Sequence, residues 1–187
     1  MTILTLVRHG QTDWNLQRRY QGQKDIPLNE EGIRQAKALA ARLAGESFDA
    51  IYSSDLQRAS QTAKEVHKGR SIDLIMDARL REICFGAWEG ELFQEMFARY
   101  PERFELSRAD PSIIMAPGGE SVAQVAARTS ALADEISRLY PSGKVLLVTH
   151  GMALATLVCR SSGCSLTTAH NMVPENAEPV QIEWPLG

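Results

Sequence analysis

Short, unbroken runs of apolar residues recur along the chain, and each is bounded by polar or turn-forming residues. Runs of this length that are rich in valine, isoleucine and leucine predict strands buried on both faces of a sheet. The predicted strands cover residues 3–7, 49–53, 71–76 and 144–149, with 180–184 as a terminal edge strand. The stretch 11–29 is polar and predicts a long loop.

The segments between these strands carry apolar residues three and four positions apart, the spacing of one helix face. The predicted helices cover 29–45, 54–66, 89–100, 121–139 and 152–159. Their expected N-caps are Asn29, Ser54 or Asp55, and Ser121. Gly45 is expected to end the first helix, and Pro101 the third.

Strands that alternate with helices predict the α/β class. We expect a three-layer α/β/α sandwich with a mostly parallel central sheet covered by helices on both faces. The chain has 187 residues, 44% of them apolar and 23% charged, which fits one globular domain over 1–187. Within it, residues 89–119 are expected to form a lid-like insertion, helical at first and a loop over 107–119.

Charge and cysteine content narrow the functional classes. The formal net charge is −3, so no overall basic field suggests a nucleic-acid partner. No apolar stretch approaches the roughly 20 residues of a membrane span, and the N-terminal run is too short for an export signal. The three cysteines form no C-x-x-C pair, which indicates reduced side chains in a cytoplasmic protein. Both a monomer and a homodimer fit these features.

Two predicted strands end in the same kind of polar sequence, Arg8-His9-Gly10 and Thr149-His150-Gly151. In parallel sheets, ligands bind beyond the carboxyl ends of the strands, so both histidines are expected in one crevice. Arg58 comes just after the second predicted strand, 49–53. Guanidinium groups bind phosphate oxygens in pairs of hydrogen bonds, and an imidazole can act as a nucleophile. This set therefore predicts phosphoryl-transfer chemistry, which depends mainly on positioning and on neutralising charge.

The chain resembles the histidine phosphatase superfamily, the phosphoglycerate-mutase-like proteins. The motifs that carry the resemblance are Leu6-Val7-Arg8-His9-Gly10-Gln11-Thr12, Trp14-Asn15, Tyr20-Gln21-Gly22, Asp25-Ile26-Pro27-Leu28, Glu31-Gly32, Ser53-Ser54-Asp55-Leu56-Gln57-Arg58-Ala59, Thr62-Ala63, Leu80-Arg81-Glu82-Ile83, Phe85-Gly86, Trp88-Glu89-Gly90, Gly119-Glu120-Ser121 and Val148-Thr149-His150-Gly151. They occur in the family's order over nearly the whole chain. The resemblance implies a phosphoglycerate-mutase-like fold and a metal-independent phosphomonoester hydrolase that needs no cofactor.

The resemblance also implies a role for individual residues. His9 would be the nucleophile that forms a phosphohistidine, and Glu82 would give a proton to the leaving oxygen. The other groups expected around the phosphoryl oxygens are Arg8, Arg58, His150, Asn15, Gln21, Gly22 and Gly151. Glu89 competes with Glu82 as the acid. The implied partner is a small phosphorylated substrate.

Three alternatives remain open from the sequence. A cofactor-dependent phosphoglycerate mutase is disfavoured because the chain has Gln11 where such mutases usually carry Glu, and because it is short. A metal-dependent hydrolase lacks a clustered Asp/His motif, and a non-catalytic phosphate-binding or scaffold protein would not need all five catalytic residues.

The sequence leaves the natural substrate undetermined: sugar phosphates, phosphoglycerates, nucleotides, phosphoserine and α-ribazole phosphate all fit. The chain departs from the family pattern at Leu92, where many small phosphatases of this type have Thr. Specificity is expected from the 11–27 loop, the 89–119 segment and the residues after His170.

Overall fold

The computed structural model describes residues 1–184. Its strands are Thr2–Arg8 (β1), Ala50–Ser53 (β2), Asp73–Met76 (β3), Lys144–Thr149 (β4) and Pro179–Trp184 (β5). Its α-helices are Asp13–Leu16 (α1), Glu30–Arg42 (α2), Gln57–His67 (α3), Phe93–Arg99 (α4), Pro101–Ala109 (α5), Val122–Leu139 (α6) and Gly151–Ser162 (α7). Short 3₁₀ helices cover Ala78–Leu80, Gly86–Trp88 and Leu166–Met172. The last three residues of the expected domain, 185–187, lie outside the described part.

The five strands form one sheet in the order β3-β2-β4-β1-β5. The first four are parallel, and β5 pairs antiparallel with β1 at the edge. β1 and β4 are direct neighbours, and Arg8 pairs with Thr149 in their register. The residues that follow these two strands, His9 and His150, therefore leave the sheet side by side.

Helices cover both faces of the sheet, as the alternating pattern predicts. On one face, Leu4 and Leu6 of β1 pack with apolar residues of α6 and α7. On the other, Val7 packs with apolar residues of α2 and α3. Because successive strand residues point to opposite faces, β1 is buried on both faces, and its central residues are mostly apolar. The expected α/β/α class is confirmed.

The predicted helix ends are partly right. Asn29 caps α2, where its side chain accepts from the Gly32 amide, but α2 ends at Arg42, before Gly45. The prediction that Ser54 or Asp55 caps α3 is wrong, because Leu56 is the N-cap and makes no side-chain bond. The two polar side chains serve tertiary contacts instead: Ser54 bonds His150, and Asp55 pairs with Arg81.

The 89–119 segment is more helical than its sequence pattern indicates. Pro101 does not simply end a helix, because it occupies the first turn of α5, where the missing N–H costs nothing. α5 then runs to Ala109, into the region expected to be a loop. Phe104 of α5 is buried beside Trp88 and Tyr20 in a separate aromatic cluster, which anchors this segment next to the sheet. Within residues 1–184, no helix is long and apolar enough to cross a membrane.

Candidate active site

His9 follows β1 at the carboxyl edge of the sheet and is buried. Its Nδ1 lies 2.7 Å from the carbonyl oxygen of Gly10, so Nδ1 carries the ring proton and Nε2 keeps a lone pair. Burial, reinforced by the positive charges of Arg58 and Arg8, holds the pKa of His9 well below its ordinary value of 6.5. A neutral imidazole with a free Nε2 is the form that can act as a nucleophile.

Arg58 connects the two histidines. Its Nε–H is directed at His9 Nε2 (3.3 Å) and at His150 Nδ1 (3.1 Å), and the two rings lie 5.1 Å apart. Since Nδ1 of His150 accepts this bond, its Nε2 donates to Ser54 Oγ at 2.8 Å. Burial, with the nearby Arg58 charge, also holds the pKa of His150 well below its ordinary value. Both imidazoles are therefore neutral.

Two guanidiniums supply the positive charge of the site. Arg58 is fully buried and its terminal nitrogens donate to the carbonyls of Lys24 and Gly22, each at 2.7 Å. Burial lowers the pKa of Arg58 to about 10, although nearby Glu82 opposes this shift. Arg8 donates to the Pro174 carbonyl, while its buried Nε has no hydrogen-bond partner in residues 1–184. Neither guanidinium forms a salt bridge in that part of the chain, so both can attract an anion.

Glu82 lies beside this charge at the amino end of α7. The amides of Ile83, Met152 and Ala153 donate to its carboxylate at 2.9 to 3.3 Å. Its Oε2 accepts only from Met152, so it is the less engaged oxygen. A Cβ on Gly151 would lie 3.0 Å from Val173 Cγ1, a tight contact, and at ordinary van der Waals distances of 3.5 Å from Glu82 Oε2 and 3.7 Å from Arg8 Nε. Gly151 therefore lies beside both charged groups.

A polar hollow of about 130 Å³ opens over these groups. Its walls are Arg8, His9, Asn15, Arg19, Tyr20, Gln21, Gly22, Arg58, Glu82 and Phe85. Seven of the nine residues expected at the site therefore line one anion-sized space. The other two, His150 and Gly151, lie behind its wall, because both ring nitrogens of His150 face protein groups.

The 11–29 loop forms one side of the hollow. Thr12 and Asn15 form a capping box around the short helix α1, and the hydroxyl of Thr12 also donates to Gln21 Oε1 at 2.9 Å. Gly22 adopts a φ of +51°, and a Cβ there would clash with the Glu89 carboxylate. Glu89 accepts from the amides of Gln23 and Phe85, so it fixes the loop rather than facing the hollow.

Sequence reasoning missed residues that hold the site from outside it. Arg128 of α6 donates to the carbonyls of Arg79, Arg81 and Glu82 and pairs with the Glu120 carboxylate. It thereby fixes the segment that carries Glu82. Asn176 donates to the His9 carbonyl at 2.7 Å. Neither residue belongs to a motif identified in the sequence. The only sequence signal near either contact is the Gly119-Glu120-Ser121 motif, which contains the partner of Arg128.

The sequence matches the family model described as histidine phosphatase superfamily (branch 1) over residues 4–186. The chain belongs to this superfamily. Among its relatives, phosphoserine phosphatase 1 of Hydrogenobacter thermophilus is 36% identical over 95% of this chain and 84% of its own length. A probable phosphoglycerate mutase, GpmB of Yersinia pestis, is 38% identical over 95% of this chain and 79% of its own.

A solved structure supports the same assignment. The mycobacterial glucosyl-3-phosphoglycerate phosphatase, in its complex with VO3, superposes with a TM-score of 0.85 at 34% identity, covering 96% of this chain and 91% of the other. The expected resemblance and fold are thus confirmed. Family and named phosphatase relatives make this superfamily member a phosphoric monoester hydrolase, as expected, and the mutase alternative is less favoured.

Proposed function

We propose that this phosphatase hydrolyses small phosphorylated metabolites through a phosphohistidine on His9, with Glu82 as the proton donor. The observation that carries the proposal is that His9 lines the hollow together with two guanidiniums that form no salt bridge in residues 1–184, and that its unprotonated Nε2 accepts from Arg58. A phosphate group in the hollow would replace the protein contact that Arg58 Nε now makes with His9.

The first step transfers the phosphoryl group to the enzyme. Nε2 of His9 attacks phosphorus, the N–P bond forms, and the bond from phosphorus to the ester oxygen breaks. Arg8 and Arg58 neutralise the charge on the equatorial oxygens. Glu82 gives its proton to the leaving oxygen, so that a neutral alcohol departs. The Nδ1–H of His9 remains bonded to the Gly10 carbonyl and holds the ring in position.

The second step returns the enzyme to its starting form. Water attacks phosphorus, the N–P bond breaks, and His9 Nε2 recovers its lone pair. The Glu82 carboxylate, held by the amides at the start of α7, takes the proton from water. Inorganic phosphate then leaves, and Glu82 is protonated again for the next substrate.

Replacing His9 tests the nucleophile assignment. His9→Ala removes Nε2, and we expect p-nitrophenyl phosphate turnover to fall by about a thousandfold or more, because the other groups cannot form the covalent intermediate. Rapid quenching of wild type in alkaline detergent, with an ester labelled in its phosphoryl group, should trap alkali-stable, acid-labile phosphate on the protein, and none on the variant. His67→Ala, a histidine of α3 outside the site, is the control. Equal turnover by wild type and His9→Ala would end the assignment.

Two assays separate the proposal from its alternatives. For the mutase, 3-phosphoglycerate is incubated with and without 2,3-bisphosphoglycerate, and isomerisation faster than phosphate release would overturn the proposal. For the metal-dependent hydrolase, activity is measured after chelation. We expect full activity, since the described residues contain no cluster of three potential metal ligands, whereas loss that added metal restores would contradict the proposal.

The remaining expectations stay part of the proposal. We place the protein in the cytoplasm, which its three free cysteines support. We assign 89–119 to the same domain as the sheet and expect it to cover the substrate, because Phe104 of α5 packs with Tyr20 beside the hollow. The partner is a small phosphorylated molecule rather than nucleic acid or a membrane.

A further inference from the structure

A second cavity, of about 180 Å³, adjoins the polar hollow and is mostly apolar. Its walls include Ile83, Phe85, Phe104, Met115, Val122 and Met152. Phe104 and Met115 come from the 89–119 segment, Val122 and Met152 from the starts of α6 and α7, and Ile83 and Phe85 from the stretch that follows Glu82. The proposed chemistry of His9 and the arginines does not use this cavity.

The cavity lies on the side of the hollow from which the alcohol must leave. Tyr20 and Phe85 line both spaces, so the two spaces are adjacent. Ile83 follows Glu82 in sequence, and the amide of Met152 holds the Glu82 carboxylate. An ester oxygen that receives a proton from Glu82 therefore lies at the entrance of the cavity. The carbon atoms attached to that oxygen extend into it.

The cavity offers a charged part of a substrate few hydrogen-bonding or ion-pairing partners. The Tyr20 hydroxyl is buried without a hydrogen-bond partner in residues 1–184, and burial raises its pKa while the Arg108 charge partly opposes this shift. Apart from Glu120, the other polar residues of the wall are Ser107, Arg108, Thr167 and His170, of which Arg108 and His170 are exposed to solvent. Glu120, also in the wall, is already paired with Arg128. A charged amino-acid or glycerate group would lose its hydration there without a matched set of partners.

We propose that this cavity binds the organic part of the ester, and that the preferred substrates are monophosphates of aromatic or extended aliphatic alcohols. Small charged esters such as phosphoserine and phosphoglycerate are then poor substrates. This inference rests on the proposed function, because it uses Glu82 to fix the direction of the leaving group. The specificity differs from that named for the phosphoserine phosphatase relative.

A series of n-alkyl phosphates from ethyl to hexyl tests the proposal. Their leaving alcohols have nearly the same pKa, so the chemical step is equal and only the buried apolar area changes. We expect kcat/KM to rise about threefold for each added methylene, mainly through a lower KM, until the cavity is filled. 1-Naphthyl phosphate should likewise exceed phosphoserine. A flat or falling alkyl series would overturn the inference.

Two neighbouring isoleucines provide matched variants. Ile113 lines the cavity, whereas Ile114 is 41% exposed on the surface. Ile113→Asp should lower kcat/KM for hexyl phosphate at least tenfold and for ethyl phosphate less than twofold, while Ile114→Asp should leave both within twofold. Equal effects of the two variants, or equal losses on both esters, would contradict the assignment.

The alkyl phosphate series, together with the phosphohistidine trapping, distinguishes failure of the cavity assignment from failure of the proposed function. If wild type hydrolyses p-nitrophenyl phosphate with a phosphohistidine but shows no chain-length dependence, the cavity assignment fails and the proposed function stands. If no phosphohistidine forms, the proposed function fails first.

Discussion

At the residue scale, one N–H group organises the catalytic centre. The Nε–H of Arg58 is shared between His9 and His150, which requires a lone pair on the facing nitrogen of each ring. The Gly10 carbonyl and the Ser54 hydroxyl take the remaining ring protons. Backbone and buried hydroxyl groups thus fix both tautomers, and the proposed nucleophile, His9, has an unprotonated Nε2 before substrate binds.

Glu82→Gln tests the proton donor at this scale. We expect kcat for an alkyl phosphate to fall about a hundredfold or more, because an alkoxide leaves poorly without a proton. For p-nitrophenyl phosphate the loss should stay below about tenfold, because nitrophenolate is already a stable leaving group. Steady-state kinetics on both esters makes the comparison, with Glu105→Gln, an exposed glutamate of α5, as the control. An identical loss on the two esters would contradict the role.

At the scale of elements, three strand and helix ends meet at the site. β1 and β4 deliver the two histidines, and the amino end of α7 holds Glu82 through two backbone amides. The segment that carries Glu82 is fixed on its other side by Arg128 of α6. Arg128 does not line the hollow and reaches Glu82 only through its backbone carbonyl, so we regard it as a positioning residue.

Arg128→Lys tests this positioning role. Lysine keeps the charge but cannot hold three carbonyls and a carboxylate at once. We expect kcat for an alkyl phosphate to fall about ten- to a hundredfold with little change in KM, because a small displacement of Glu82 misplaces its proton. The loss for p-nitrophenyl phosphate should be much smaller, as in Glu82→Gln. Arg138→Lys, on the exposed side of α6, is the control, and equal losses on both esters would indicate a general structural effect instead.

At the scale of the whole molecule, the site opposes folding at low pH. His9 and His150 are neutral in the folded chain but have a pKa near 6.5 when unfolded. At a pH between the folded-state and the unfolded-state pKa, the unfolded chain binds more protons than the folded chain. The free energy of unfolding therefore falls as the pH drops below 6.5. The stability that the two neutral histidines allow is fully present above pH 6.5 and is lost progressively below that pH.

Denaturation by urea at pH 7.5 and pH 5.5 measures this linkage. For each buried histidine, the free energy of unfolding should be about 1.4 kcal/mol lower at pH 5.5 than at pH 7.5. The buffers should contain no phosphate, which could bind the site. His9→Gln should remove about that much of the pH dependence. His170→Gln, at an exposed position, controls for the substitution itself. The same loss of stability in wild type and His9→Gln would show that His9 is not held neutral.

Local patterns in the sequence predicted most of the framework. The apolar runs predict all five strands. Asn29 and Ser121 are correctly predicted as caps, because a cap needs only a local contact: each side chain accepts from the amide three residues further on. Ser54 and Asp55 misled the same reasoning, because distant partners, His150 and Arg81, use their side chains. The helix α5 was missed in part because Phe104, which anchors it, packs with residues remote in sequence.

The sequence by itself determined the strands, most helices, the α/β class and the set of chemically active residues, because these follow from side-chain type and short-range spacing. Only the tertiary structure decided that β4 lies beside β1, that His150 stands behind Arg58, and that Arg128 holds the Glu82 segment. These contacts join residues 46 or more positions apart, as Arg128 and Glu82 are. Contacts between residues so far apart in sequence depend on how the helices pack against the sheet. A local sequence pattern does not determine that packing.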